Sequence, residues 1–257
     1  MELIMKDGER IDDLQLKGLR IIQDKSKFCF GTDAILLSSF ARVNSGDMVA
    51  DLGTGTGIIP ILLCGKTNAR YIRGIEIQHD MVDMARRSVA LNELEDRVDI
   101  SEGDIKIAHA YLEAGSFDVV VSNPPYKKVG SGIVNPNDKK AIARHEILCT
   151  LKDVISAASR LLRFGGRFSM VHRPDRLIDI VCGMREYNIE PKRIQMVHKN
   201  QSKPPSLVLI EGILGGKPSI DCLPPLFIYD EEGNYTPQLC KIYGIDMKSK
   251  VNYNGQQ

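Results

Sequence analysis

The sequence predicts an α/β fold in which helices cover both faces of a mostly parallel sheet. Three observations carry this expectation. Short apolar runs of strand length recur at Met48–Leu52, 70–76, 98–104 and 117–122. Helical patterning follows the first two, and strands alternating with helices build parallel sheets. The length, 257 residues, suits a single α/β domain.

Taken in chain order, the first 28 residues predict a short β-ribbon around Leu14–Leu16 and Leu19–Gln23. The apolar run from Ala34 to Phe40 predicts the first helix, with Thr32 and Asp33 as candidate caps. Met48-Val49-Ala50-Asp51-Leu52 predicts a strand that ends in Gly53-Thr54-Gly55-Thr56-Gly57, ahead of a helical run over 58–63. Glycines let the main chain turn sharply and let a ligand come close to it. A dinucleotide site favours G-x-G-x-x-G with a pyrophosphate at the helix N-terminus. Here the spacing is G-x-G-x-G and Asp51 precedes it, an unsuitable neighbour for a pyrophosphate. The acid suits a ligand with a cationic amino-acid end, such as S-adenosyl-L-methionine.

The strand over 70–76 closes on Glu76, at about the spacing where an acid takes ribose hydroxyls in nucleotide-binding units. The plainer alternative is a solvated surface acid. Val82, Ala85 and Val89 mark one face of the next helix. The strand over 98–104 ends in Asp104, which can accept from an adenine amine or cap the segment that starts at Ile105. The strand over 117–122 then runs into Asn123-Pro124-Pro125-Tyr126. Two consecutive prolines stop a strand abruptly, because neither donates to the ladder. The result is a rigid turn that presents one amide and one aromatic ring. Such a turn can accept a hydrogen bond from an exocyclic amine and stack on a flat base. The plainer alternative is an ordinary Pro-rich turn.

Beyond it, residues 127–143 hold Gly130, Gly132, Pro136, Lys127, Lys128, Lys139 and Lys140, with Arg144 and His145 at the far end, and predict a basic loop. Residues 146–162 predict a long helix, 167–171 a strand introduced by Gly165-Gly166, and 174–187 a further helix. Residues 194–197 and 207–210 predict the last two strands of the sheet. The tail after Leu214 matches no pattern.

These motifs together resemble the class I S-adenosylmethionine-dependent methyltransferases, and more closely those whose N-P-P-Y motif serves methylation of exocyclic amino groups. The opening stretch, Glu9-Arg10-Ile11-Asp12-Asp13-Leu14, Ile21-Ile22-Gln23 and Phe28-Cys29-Phe30-Gly31-Thr32-Asp33-Ala34, resembles the tRNA1(Val) (adenine-37-N6)-methyltransferase family. The resemblance implies a Rossmann-like fold with a seven-stranded sheet. It implies one domain over 1–257, with a ribbon at 1–28, a core at 29–214 and a tail at 215–257. It implies Gly31, Thr32, Asp33, Asp51, Gly53, Gly55, Gly57, Glu76, Asp104 and Asn123 as contacts of S-adenosyl-L-methionine. It also implies that the Asn123 side-chain oxygen and the Pro124 carbonyl accept the substrate amine and that Tyr126 stacks on the base. Lys127, Lys128, Lys139, Lys140 and Arg144 are the expected RNA-binding residues. His145, His172 and His198 are expected to meet RNA or solvent, and no histidine is assigned to catalysis.

Charge agrees with a polyanionic substrate. The net charge is +1, yet residues 122–217 carry +9 and the remainder −8. The proposed catalytic turn therefore lies in the basic half of the sequence. The plainer alternative is a set of solvated helix faces. Six scattered cysteines without a C-x-x-C pair point to a reducing cytoplasm and away from structural zinc. No apolar run is long enough for a membrane span, and no leader pattern follows Met1. The expected partners are a tRNA, with no membrane and no metal, for a monomer or weak dimer.

Three other functions share parts of this pattern. Protein glutamine methyltransferases acting on release factors also carry N-P-P-Y, but place a sizeable helical domain before the glycine loop, where this chain has about 47 residues. Guanine-N2 rRNA methyltransferases tend to have Phe at the position of Tyr126. An RNA-binding protein that has lost catalysis would have no need of Asp51, Glu76, Asp104, Asn123 and Tyr126 together.

Overall fold

The computed structural model describes residues 5–25, 29, 31–126 and 149–244. The expected RNA-binding residues Lys127, Lys128, Lys139, Lys140 and Arg144 lie outside these, as do His145, Phe28 and Phe30.

An antiparallel ribbon opens the chain, with β1 at Glu9–Asp13 and β2 at Arg20–Asp24. The expected first strand around Leu14–Leu16 is instead the turn between them. Gln15, Lys17 and Gly18 all take positive φ there, and Leu16 and Leu19 lie over Gly65, where a Cβ would come within 2.6 and 2.7 Å of their methyl groups. These leucines are apolar because they pack on a neighbouring helix, not because they alternate in a strand.

Seven long strands form the central sheet: β3 (Met48–Leu52), β4 (Tyr71–Glu76), β5 (Val98–Glu102), β6 (Phe117–Ser122), β7 (Leu162–His172), β8 (Ile189–His198) and β9 (Pro205–Leu214). Their order across the sheet is β5-β4-β3-β6-β7-β9-β8. The first five run parallel, and β9 is antiparallel to both β7 and β8. The tail adds what its sequence did not announce. Two-residue strands β10 (Asp221–Cys222) and β11 (Leu226–Phe227) pair with β8, so β8 and β9 are not the last strands.

Helices α1 (Thr32–Phe40), α2 (Ile58–Lys66), α3 (His79–Leu91) and α6 (Pro237–Tyr243) share one apolar cluster with one face of the sheet. A 3-10 turn (Ile105–Ala110), α4 (Leu151–Leu161) and α5 (Leu177–Glu186) share the cluster on the other face. Strand alternation divides the core between the two: on β6, Val119 and Val121 face the first cluster and Val120 the second. α4 starts at Leu151, and residues 146–148 of the expected helix lie outside the described residues. Thr150 and Asp153 form a reciprocal capping box, with Asp153 N donating to Thr150 Oγ1 and Thr150 N to Asp153 Oδ2. β7 starts five residues before the expected Arg167. Gly165, at φ +78°, sits inside it, and regular pairing resumes at Val119 and Arg167.

Strand order reverses between β3 and β6, since β4 and β5 continue to one side of β3 while β6 and β7 continue to the other. A crevice at the carboxyl ends of the strands is the expected place for a ligand at such a switch point.

Candidate active site

The carboxyl ends of β3, β4, β5 and β6 bring the sequence-predicted residues together at that crevice. Asp51 lies in β3, is fully buried, and neither of its oxygens has a hydrogen-bond partner among the described residues. Burial pushes its carboxyl up to about 7. The nearby Thr54 hydroxyl, itself without a partner, works against that shift and the Glu76 charge adds to it. A buried carboxylate without a partner is costly, so this position suits an arriving cation.

The glycine loop above Asp51 is held open by its backbone. Gly53, Gly55 and Gly57 take φ of 77°, 57° and 82°, conformations that side chains disfavour. Gly53 N and Thr54 N both donate to the Ile75 carbonyl, at 2.9 and 3.0 Å. Glu76, the last residue of β4, is 6 % exposed, which excludes the solvated-acid alternative. Its Oε2 accepts from Gly55 N at 3.0 Å, and its Oε1 from Ile77 N and Gln78 N at 2.9 and 3.0 Å. Glu76 thus shapes the loop, and Oε2, with Gly55 N as its donor, keeps capacity for a further one.

β5 ends at Glu102, two residues before Asp104. Asp104 caps the 3-10 turn, its Oδ1 accepting from Lys106 N at 2.9 Å, and its side chain remains about one-third exposed at 32 %. Capping occupies one oxygen, and Lys106 Nζ lies 3.9 Å from the other.

Across the switch point, Ser122 ends β6. Its buried hydroxyl donates to the Leu52 carbonyl at 2.8 Å and so ties the start of the Asn-Pro-Pro-Tyr turn to the end of β3. Within the turn Pro124 is buried, Pro125 exposed, and Asn123 and Tyr126 half-buried. The Tyr126 hydroxyl lies at hydrogen-bond distance from two oxygens, Asp33 Oδ2 at 2.8 Å and Asn123 Oδ1. Burial, then the Asp33 charge, drives the Tyr126 pKa upward.

Gly31 is the N-cap of α1, without a side-chain cap, and Thr32 is its first residue. Asp33 meets the capping expectation in part, its Oδ1 accepting from Ala34 N at 2.9 Å. Thr32 is touched from the tail, where the Tyr243 hydroxyl lies 3.4 Å from its Oγ1.

Two residues escaped the sequence reading. Ser122 is one, for which a small polar residue closing an apolar strand was the available signal. His172 is the other, and here the expectation of solvent or RNA contact is corrected. It ends β7, is 2 % exposed, and packs against the Tyr126 ring with centroids 5.2 Å apart. Burial lowers its pKa to about 4, with the Arg176 charge adding to the shift, so the ring is neutral near pH 7. His198 does not contradict that expectation: its Nδ1 lies 2.9 Å from the Lys203 carbonyl in an exposed contact. A surface hollow of about 530 Å³ beside Phe164, Asn188 and Gly216 lies at the opposite end of the sheet and contains none of these groups.

An open parallel sheet with a glycine loop, an acid at each of three neighbouring strand ends and an amide-bearing turn at the fourth defines a methyltransferase-type domain. A family model described as the methyltransferase small domain matches residues 23–180. A tRNA1(Val) (adenine(37)-N6)-methyltransferase of Phocaeicola vulgatus is 32 % identical over 76 % of this chain and 80 % of its own. One from Porphyromonas gingivalis is 30 % identical over 90 % of this chain and 93 % of its own. The chain belongs to the methyltransferase small domain family, alongside these tRNA1(Val) (adenine(37)-N6)-methyltransferases. Solved structures agree on the fold. A predicted O-methyltransferase from Agrobacterium tumefaciens superimposes with a TM-score of 0.68 at 22 % identity, over 82 % of this chain and 95 % of its own. The geranyl diphosphate C-methyltransferase of Streptomyces coelicolor, solved with S-adenosyl-L-homocysteine, gives 0.52 at 14 % identity, over 70 % and 76 %. No described helix is long and apolar enough to cross a membrane.

Proposed function

We propose that this protein transfers the methyl group of S-adenosyl-L-methionine to N6 of an adenine in tRNA, and that the target is adenine 37 in the anticodon loop of a valine tRNA. The observation that carries the reading is the juxtaposition across the switch point. The unpartnered Asp51 carboxylate stands at the end of β3, and the Asn123 turn is tied to that same strand end through Ser122. The names of the relatives supply the RNA and the nucleotide. The whole chain is read as one methyltransferase domain.

The residues fit the cofactor. Three acids at neighbouring strand ends suit a ligand with an ammonium, a ribose diol and an adenine amine, and repel a pyrophosphate. Asp51 would take the ammonium, Glu76 the ribose hydroxyls and Asp104 the adenine amine, with Gly53, Gly55 and Gly57 giving close backbone approach and Gly31, Thr32 and Asp33 lying toward the methionine end. S-adenosyl-L-methionine, when bound, supplies an electrophilic sulfonium methyl.

The obstacle on the other side is the adenine amine, whose lone pair is delocalised into the ring. Asn123 Oδ1 and the Pro124 carbonyl accept its two N–H groups and favour the pyramidal, nucleophilic form. Tyr126 holds the base by stacking. Positioning of this kind contributes roughly 7–11 kcal/mol. No strong base is required before transfer, because the methylated ammonium is acidic. Anticodon loops present unstacked bases that can be flipped into a pocket at low cost. Lys127, Lys128, Lys139, Lys140 and Arg144 would hold the flanking phosphates, which position a substrate without reading its sequence.

The test uses purified protein, labelled S-adenosyl-L-methionine and unmodified valine tRNA, with nucleosides read by mass spectrometry. The expected product is N6-methyladenosine, lost when position 37 is changed to guanine. Transfer to a release-factor peptide and none to tRNA would overturn the substrate class.

A further inference from the structure

The Tyr126 hydroxyl has one proton and faces two oxygens, Asp33 Oδ2 at 2.8 Å and Asn123 Oδ1. Both cannot receive it. We infer that Asp33 is a positioning residue that captures the Tyr126 proton and thereby sets which end of the Asn123 amide faces the substrate. This inference rests on the role proposed above for Asn123.

The competition has a clear winner. Asp33 is a carboxylate, and hydrogen bonds to charged acceptors are about twice as strong as those to neutral ones. Its Oδ1 is already fixed by Ala34 N at 2.9 Å, which aims Oδ2 at the phenol. The phenol keeps its proton, since burial and the Asp33 charge both oppose its loss. With the proton directed to Asp33, the phenol oxygen presents only lone pairs to Asn123. An amide has one donating and one accepting end of nearly the same shape, and the surrounding hydrogen bonds decide its orientation. The structure places Asn123 Oδ1 beside the phenol; opposite a lone pair the stable arrangement is the reversed amide, with Nδ2 donating to Tyr126. Oδ1 then points away from the phenol and remains available to accept from the incoming amine. Without Asp33 the phenol donates to Asn123 Oδ1 and occupies the acceptor that the reaction needs.

Asp33 and Tyr126 are 93 positions apart, so no local motif reports the contact. The bond also links the segment before α1, proposed to lie against the methionine end of the cofactor, to the turn that receives the base. Cofactor seating and amide orientation then share one residue.

A double-mutant cycle on single-turnover methyl transfer, at saturating S-adenosyl-L-methionine and tRNA, separates this from a simple binding role. Asp33→Ala and Tyr126→Phe should each slow transfer about tenfold, the fold-change that loss of one ordinary hydrogen bond produces. The double variant should be no slower than Tyr126→Phe, and because every arm is saturated with cofactor, any part Asp33 has in binding it drops out of the comparison. The inference is overturned if the Asp33→Ala loss persists in full in the Tyr126→Phe background. Tyr126→Phe removes a single oxygen and guards against misfolding of the other variant, and a wild-type rate from it would also end the argument. A second readout does not depend on activity. The side-chain amide protons of Asn123 should exchange slowly with solvent in the wild type and fast in Asp33→Ala, and equal exchange in both counts against the inference. Wild-type protein that methylates no tRNA would remove the functional reading, while the exchange measurement would still decide the amide orientation.

Discussion

The two sides of the crevice are built by opposite means. On the β3-β4-β5 side the hydrogen bonds are short-range in sequence: Glu76 reaches Gly55 across 21 positions and otherwise binds its immediate neighbours. On the β6 side they are long-range. Ser122 reaches Leu52 across 70 positions, and Tyr126 reaches Asp33 across 93. The polar groups differ as well. The first side keeps a buried carboxylate without a partner, whereas on the second the Tyr126 hydroxyl lies between Asp33 and the Asn123 amide. One side is prepared to gain a charge, and the other is a set of hydrogen bonds that fixes an amide in place. Binding and reactivity should therefore respond separately to substitution.

The largest effect should come from Asp51→Asn. The Asp51 carboxyl titrates at about 7 in the fold against an ordinary 3.8. A raised acid means that the folded state binds more protons than the unfolded one across that window, so this group's contribution to ligand-free stability falls as pH rises from about 4 to 7, then levels off. The variant lacks this titration. Its stability advantage over wild type should grow across the same window and reach on the order of 4 kcal/mol at pH 8. Comparing the two proteins isolates Asp51 from His172, whose depressed value of about 4 has the opposite effect on stability at the acid end. Denaturant melts at pH 5 and 8 measure the gap, and a constant gap would mean that Asp51 has a partner after all. The same variant should bind S-adenosyl-L-methionine more weakly by about 2–5 kcal/mol, as when one partner of a buried charge pair is removed.

Asn123→Ala should act on the other side alone. Loss of one transition-state hydrogen-bond partner typically costs about 10²–10³ in turnover. Cofactor affinity should stay almost intact, because Asp51, Glu76 and Asp104 remain. Calorimetry showing that this variant cannot bind the cofactor would merge the two sides into one device and break the comparison.

The same division explains what the sequence disclosed. Strand β3, the glycine loop, Glu76 and the face of α3 marked by Val82, Ala85 and Val89 were legible because their determinants lie within a few residues of one another. Turn chemistry and periodicity are local signals. The Asn-Pro-Pro-Tyr turn was legible for the same reason. His172 and the Asp33–Tyr126 contact were not, because each is defined by chain segments that meet only after the sheet has formed. Leu16 misled for a related reason: it is apolar for the sake of Gly65, about fifty positions away. The tail stayed unreadable because its order is borrowed. Its two-residue strands exist by pairing with β8, and α6 by packing on α1.

Replacing the basic residues just beyond the turn tests the RNA side with a smaller effect. Lys139→Glu with Lys140→Glu should raise the apparent KM for tRNA and lower its salt slope by about one for each lost phosphate contact. The rate at saturating tRNA should change little, since these residues are not proposed to touch the amine. Equal slopes in variant and wild type would remove them from the RNA path.

The smallest expected effect belongs to the bond that joins the two sides. Ser122→Ala deletes the hydroxyl that donates to the Leu52 carbonyl, and both groups are buried. Removing one partner of a buried hydrogen bond costs about 1–3 kcal/mol, here at the low end because a carbonyl that loses one donor can keep another. A denaturant melt should show that loss, with cofactor affinity unchanged because Asp51 and the glycine loop keep their own bonds. Turnover should fall only severalfold. Asn123 follows Ser122 directly, so the turn loses one of its fixings, but Pro124 and Pro125 still restrict its backbone and Tyr126 still reaches Asp33. If turnover instead falls as far as in Asn123→Ala while stability stays within about 1 kcal/mol, the Ser122 bond, and not the prolines, positions the amide. The two sides would then be one mechanical unit whose strand ends move together.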